Sequence, residues 1–161
     1  MSLSECDSQY VRAAEGWLEL GNHSEANEEL EKVSASNRAQ PEVLMLRWEI
    51  YAKAAQWKAC EDIARALTVL RPDLSKWWNQ LAHSLYKQHR IEDAYKTLGA
   101  VSDRFLSSTA LSYNMAVYCC SLGKLEEARV WLKKGFEHST DPDRMKLAAL
   151  EDPALNGIWQ A

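Results

Sequence analysis

The sequence predicts an all-α protein, an α-α superhelix of about nine antiparallel helices in which helix pairs stack as a solenoid. Three stretches with the same layout follow one another 34 residues apart, starting at Pro41, Ser75 and Thr109. A fixed period of that length is the sequence signature of a helical-repeat protein. Within each stretch, apolar residues recur at spacings of three and four, which is the periodicity of one helix face. The four prolines and six glycines of the chain leave this pattern uninterrupted.

The second helix of each pair is predicted from three positions that recur at the same period. A small residue comes first and lets two helices approach closely, and apolar residues follow four and seven positions later on the same helix face. The small position holds Ala26, Cys60, Ala94 and Ala128. The two later positions hold Leu30 and Val33, Ala64 and Leu67, Leu98 and Val101, and Leu132 and Gly135.

A two-residue turn precedes each second helix. The four turns are Gly21-Asn22, Ala55-Gln56, His89-Arg90 and Gly123-Lys124. Gly and Asn suit a left-handed helix terminus, and His tolerates that backbone better than a β-branched residue does. We therefore expect each first helix to end in a left-handed residue.

The first helix of a pair is clearest in the third stretch. It follows the pattern W-x2-L-G-x2-Y, with Ala in place of Gly and Leu in place of Tyr, through Trp78, Leu81, Ala82 and Leu85. On these residues, and on the small and apolar positions that follow them, the chain resembles the tetratricopeptide-repeat (TPR) family. The resemblance implies a single TPR domain over 1–161, with repeats at 7–40, 41–74, 75–108 and 109–142. The second repeat departs from the family pattern in its first helix, at Arg47 and Trp48.

A capping helix and a tail are predicted for 143–161. The Asp-Pro-Asp run that precedes this helix supplies an N-cap, a first-turn proline and an acid favoured by the helix dipole. We expect the last repeat to be covered by Met145, Leu147, Ala148 and Leu150. The tail carries Trp159, which we expect to pack on its own chain or, as a possible homodimer contact, on a neighbouring molecule.

Six further tryptophans complete the set of seven. Five of them fall at positions that pack one helix on another: Trp17, Trp48, Trp57, Trp78 and Trp131. Trp77 precedes the inward Trp78, and we expect it to lie partly on the surface.

Composition excludes several classes of function. A net charge of −4 argues against nucleic acid as a partner, because backbone binding needs a basic face. No apolar run approaches the length of a membrane span, and the first twenty residues do not resemble a secretory signal. Four cysteines in such a chain predict free thiols in a reducing cytoplasm rather than a disulfide framework.

No catalytic or metal-binding motif is present in the sequence. It has no Gly-rich phosphate loop, G-x-S-x-G elbow, H-E-x-x-H or C-x-x-C. The four histidines fall in different repeats, so a zinc site lacks clustered ligands. We therefore expect no enzyme activity, no metal and no cofactor.

The TPR resemblance implies that the first helix of each repeat lines a concave groove. Carried onto this sequence, the stripe of groove-facing residues includes Glu15, Met45, Glu49, Lys76, Asn79, His83, Tyr86, Tyr113 and Val117. The stripe passes from acidic, through basic and polar, to apolar and aromatic. Chaperone-binding TPR domains bind a C-terminal carboxylate through a clamp of cations and amides. This sequence lacks that clamp, because Glu15 stands where the clamp has a cation or amide, and only Lys76 matches.

The predicted function is a non-enzymatic interaction module that binds a peptide or protein segment in this groove. Two alternatives remain open: a structural protein that self-assembles into homo-oligomers, and an accessory subunit of an enzyme complex. The partner is an unknown protein or peptide, with neither nucleic acid nor membrane expected.

Overall fold

The structure is a computed structural model that describes residues 3–160, and these residues form helices and turns without a strand. The chain divides into two compact units, Met1–Arg71 and Pro72–Ala161. The first unit contains four α-helices: α1 (Glu5–Glu19), α2 (His23–Glu31), α3 (Pro41–Lys53) and α4 (Trp57–Leu70). Helix α1 packs against α2, and α3 packs against α4. Buried side chains of α1, α2 and α3 form one core that includes Ala14, Leu30 and Ile50.

The second unit contains six α-helices: α5 (Ser75–Lys87), α6 (Ile91–Gly99), α7 (Thr109–Ser121), α8 (Leu125–His138), α9 (Pro142–Glu151) and α10 (Asn156–Trp159). Helices α5 and α6 pair, as do α7 and α8, and both α9 and α10 pack on α8. Single 3-10 turns lie at Ser102–Arg104 and Pro153–Leu155. Helices α3, α5 and α7 thus begin at the residues that open the three periodic stretches.

The expected left-handed turns are present before every second helix. The backbone φ is 79° at Gly21, 55° at Ala55, 61° at His89 and 74° at Gly123. Two backbone hydrogen bonds end α5 at His89. His89 N–H donates to Tyr86 O, and Arg90 N–H donates to Leu85 O. This pair of bonds is the Schellman arrangement, in which a left-handed residue satisfies carbonyls at the helix end.

The small positions of the second helices are buried, as the repeat pattern predicted. Ala26, Cys60, Ala94 and Ala128 expose none of their surface. The absence of a bulky side chain there is what lets the paired helices approach each other.

The buried carboxylate of Asp7 holds the loop between α2 and α3 in place. It accepts hydrogen bonds from Ser34 and Asn37.

The expected positions of three tryptophans need correction. Trp77 is buried and only 5% exposed, whereas Trp78 is half-buried and donates from Nε1 to Pro72 O. Trp77 lies four residues before the buried Leu81 and so shares its helix face, which makes the Trp77 ring the inward one. The core prediction was also wrong for Trp17, which is 38% exposed.

The capping helix is present, but the face that packs inward is not the one predicted. Leu147 and Leu150 are exposed, and Ala149 is the buried residue of α9. Met145 is half-buried, with its Cε positioned 2.6 Å from where a Cβ on Gly135 would lie. Because Gly135 leaves this space open, Met145 makes the close contact with α8 that a larger residue would prevent. The short helix α10 was not expected.

Candidate functional site

The first unit has an open cavity of about 550 Å³ between α1 and α3. Its lining residues are Glu15, Leu18, Glu19, Leu46, Glu49 and Lys53. Spacings of three and four place the three residues from each helix on one face. Three carboxylates and one ammonium group therefore surround an aliphatic surface. The structure brings the predicted site residues Glu15 and Glu49 into one cavity, with Met45 half-buried on the same helix as Glu49.

Arg47, which departs from the repeat pattern, links α3 to α2. Its guanidinium donates a hydrogen bond to the Glu31 carboxylate and forms an ion pair with it. This hydrogen bond, supported by the positive charges of Arg47 and Arg38, lowers the pKa of Glu31. The aliphatic contact usual at this repeat position is thus replaced by a charge-assisted contact between helices.

In the second unit, two predicted site residues have their side chains turned inward. Asn79 is buried, and its amide donates to Ser75 O and accepts from Asn114 Nδ2, each at 3.0 Å. Val117 is also buried. Asn79 therefore joins α5 to α7, and Asn114 is the more exposed member of the pair.

Tyr86 and His83 lie half-buried on α5. The Tyr86 ring packs on Tyr118 of α7, with 5.1 Å between centroids, and its hydroxyl lies 3.5 Å from Ser121 Oγ. Burial, together with the charge of Lys87, lowers the pKa of His83 and favours its neutral imidazole. Lys76 is exposed at the start of the same helix, with Nζ 5.4 Å from the Trp77 ring centroid.

Tyr113 is fixed by a contact with the C-terminal end of the unit. Its hydroxyl donates to Asp152 Oδ2 at 2.7 Å. Burial and this hydrogen bond raise the pKa of Tyr113. Tyr113 also lines an open cavity of about 420 Å³ whose other lining residues are Thr109, Ala110, Ser139, Thr140, Asp141, Arg144, Met145 and Ala148.

Three residues that contact the predicted site residues were not identified from the sequence: Asn114, Tyr118 and Asp152. Asn114 and Tyr118 stand at the repeat positions of Gln80 and Ser84, so the period itself marks them as packing positions rather than surface positions. Asp152 lies outside the repeats, and no sequence signal links it to Tyr113.

All four cysteines are free: Cys60 and Cys119 are buried, Cys120 is half-buried and Cys6 is exposed. Burial raises the pKa of Cys60 to about 11 and that of Cys119 to about 12, so both remain protonated at neutral pH. Within residues 3–160, no three His, Cys, Asp or Glu side chains are grouped so as to hold a metal ion. In the same range, every helix is too short or too polar to cross a bilayer.

Comparison with known proteins defines the class of fold. No protein-family model matches the chain, and no curated protein matches it in sequence. Solved structures do match: the fold is an all-α helical solenoid of the TPR-like type, which confirms the predicted fold class.

Two of the similar structures are forms of the protein MamA. One, the MamA RS-1 ArsTM double mutant, has a TM-score of 0.71 at 14% identity, covering 99% of this chain and 96% of that chain. The other, also a MamA mutant, has a TM-score of 0.65 at 15% identity, covering 81% of this chain and 76% of that chain. At these identities the similarity establishes the fold alone.

Proposed function

We propose that the chain is a non-enzymatic interaction module built from four TPR-like repeats and a capping helix. In this proposal it binds a peptide or protein segment along the first helices of its repeats. The observation that supports it most is the agreement between sequence and structure at the repeat starts. Helices begin at Pro41, Ser75 and Thr109, in the 34-residue register that typifies TPR arrays. Helical solenoids present extended surfaces that bind other chains.

The two units would contribute surfaces of different chemistry. In the first unit, the cavity between α1 and α3 offers the carboxylates of Glu15, Glu19 and Glu49 beside Leu18 and Leu46. In the second unit, the exposed and half-buried side chains of the stripe are Lys76, His83, Tyr86 and Tyr113, with Asn114 beside them. Tyrosine, partly buried and partly exposed, is a common anchor residue at interfaces.

The similarity to MamA structures supports the solenoid fold on which this proposal rests. The alternatives are a self-assembling structural protein and an accessory subunit of an enzyme complex. The free and partly buried thiols support a reducing compartment, and so a cytoplasmic location. The homodimer contact expected at Trp159 is tested separately, by measuring the oligomeric state of the chain at several concentrations.

Tyr86 provides the sharpest test of the proposed surface. Tyr86→Ala should reduce capture of specific partners from a native lysate by about tenfold, as expected for loss of an interface anchor. Tyr95→Ala is the matched control, because Tyr95 is also half-buried but lies on a second helix, α6. Quantitative mass spectrometry of both captures, with circular dichroism to verify helicity, gives the comparison. Equal loss of partners in both variants would contradict binding through the first helices.

A further inference from the structure

We propose that the groove between α8 and α10 is a second docking site, which takes an acidic amphipathic helix from a partner protein. The groove lies wholly within the second unit and contains none of the first-helix stripe residues. It is therefore independent of the surface proposed above.

The groove has an apolar interior and a cationic rim. Its volume is about 200 Å³, and it is lined by Leu132, Phe136, Ile158, Trp159, Arg129 and Lys133. A cavity of about 150 Å³ holds a benzene molecule. This groove can therefore accept one leucine or phenylalanine side chain, which is the usual anchor of a helix bound in a groove.

The C-terminal tail forms one wall of the groove and is held in place by the rest of the unit. Arg129 Nη2 donates to Ile158 O at 2.9 Å, and Trp159 Nε1 donates to Ala149 O at 3.2 Å. At Gly157 the backbone comes so close to α7 and α8 that a Cβ would lie 3.2 Å from Cys120 Sγ. The wall is preformed, so a partner would not need to order it on binding.

Apolar surface remains exposed at this wall. The side chain of Trp159 is 43% exposed even though its Nε1 is hydrogen-bonded, while the preceding Ile158 is buried. An exposed aromatic side chain at the edge of a concave site is typical of protein interfaces.

The charge of the rim selects the partner. Arg129 pairs with Glu126, and Lys133 Nζ lies 4.0 Å from Glu137 Oε1, but these are ion pairs between side chains of one exposed helix face. Such pairs are weak, so carboxylates of a partner can replace them. A second copy bound through the same groove would bring the same two cations, Arg129 and Lys133, to the interface, whereas an acidic helix would bring carboxylates to them. The charge therefore favours an acidic partner over a second copy of the chain.

The test uses the full chain and two labelled synthetic peptides. Both are amphipathic helices with leucines four residues apart; glutamates flank the leucines in one peptide and lysines in the other. Fluorescence anisotropy at low salt measures their binding. We expect the glutamate peptide to bind at least about tenfold more tightly, because only its flanking charges complement the rim.

Two variants locate the binding site. Lys133→Glu should weaken binding of the glutamate peptide about fivefold. Lys96→Glu is its control, because the Lys133 and Lys96 side chains are 80% and 71% exposed and each faces a Glu four residues away on its own helix.

The second variant tests the apolar wall. Trp159→Ala should weaken binding of the glutamate peptide at least about tenfold, with Leu106→Ala, at another exposed apolar residue, as its control. Tyr86→Ala should leave this binding unchanged, which separates the groove from the first-helix surface.

Several results would overturn the proposal. The first is equal affinity for the two peptides, or no saturable binding of the glutamate peptide. The second is unchanged affinity in Lys133→Glu, a variant that leaves the tail contacts intact. The third is a wild-type dimer in solution that Trp159→Ala converts to a monomer, which would make a second copy the occupant of the groove.

Discussion

The hydroxyl of Tyr113 on α7 donates a 2.7 Å hydrogen bond to the carboxylate of Asp152, the residue that follows α9. Asp152 also accepts from Ala154 N–H and so caps the 3-10 turn that leads into the tail. One carboxylate thus joins the last repeat to the tail. Tyr113 is a predicted groove residue, and its hydroxyl also contributes to the packing of its own unit.

The Tyr113–Asp152 contact predicts a loss of stability on removing one oxygen atom. Tyr113→Phe should lower the free energy of unfolding by about 1.5–3 kcal/mol, the usual contribution of a hydrogen bond to a charged group. Tyr86→Phe is the control, because the Tyr86 hydroxyl has only a 3.5 Å contact with Ser121 Oγ, and its effect should be small. Urea unfolding followed by circular dichroism measures both. Equal effects would mean that the contact with Asp152 adds no stability.

Asp7 predicts a dependence of stability on pH. The backbone N–H of Ser34, the Asn37 amide and the Ser34 hydroxyl donate to its carboxylate and hold the pKa of Asp7 well below its usual value. A lowered folded-state pKa contributes stability that is fully present above the unfolded-state pKa, about 3.9, and is lost as pH falls further. Asp7→Asn should therefore have a lower melting temperature than the wild type at pH 7.

The difference in melting temperature between the wild type and Asp7→Asn should narrow as the pH falls below about 4. Protonation of the wild-type carboxylate then begins to remove the stability that its charge contributes. Thermal unfolding at a series of pH values gives this difference directly. Glu5→Gln, an exposed substitution in the same first turn of α1, is the control. A constant difference between pH 7 and pH 2 would show that the Asp7 charge does not contribute.

The left-handed turns predict opposite effects for two glycine substitutions. Gly123 has a φ of 74°, whereas Gly16 lies within α1 with open space around its Cβ position. Gly123→Ala should cost about 1 kcal/mol, and Gly16→Ala should add about 0.5–1 kcal/mol. Ala55→Gly should also stabilise, because Ala55 has a φ of 55°. Denaturant midpoints test the signs; a stabilising Gly123→Ala would contradict the turn assignment.

The small position of the second helices predicts intolerance of larger side chains. Ala94 on α6 is fully buried, so Ala94→Leu should overpack the contact with α5 and cost about 1–3 kcal/mol. Ala100→Leu, an exposed substitution at the end of the same helix, should have little effect. Melting temperatures of the two variants give the comparison, and similar values would rule out close approach at Ala94.

The sequence by itself determined the helices of the repeats and the turns between them. A small residue, a four-residue step and a three-residue step recur at a fixed period, and only a helix places them on one face. The residue types at the turns, such as Gly21 and His89, tolerate a left-handed backbone that most residues avoid. These are local preferences, repeated in each stretch, so the starts of α3, α5 and α7 could be predicted to the residue.

The tertiary structure decided which side chains face inward where the local pattern is ambiguous. Trp77 and Trp78 are adjacent and chemically identical, so periodicity could not select the buried ring. The same applies to α9, in which Ala149 rather than Leu147 is buried, because a single capping helix has no second copy to fix its register. The Tyr113–Asp152 bond joins residues 39 positions apart, one of them outside the repeats. Contacts of that kind depend on how packed helices place their side chains in space, and no period in the sequence encodes them.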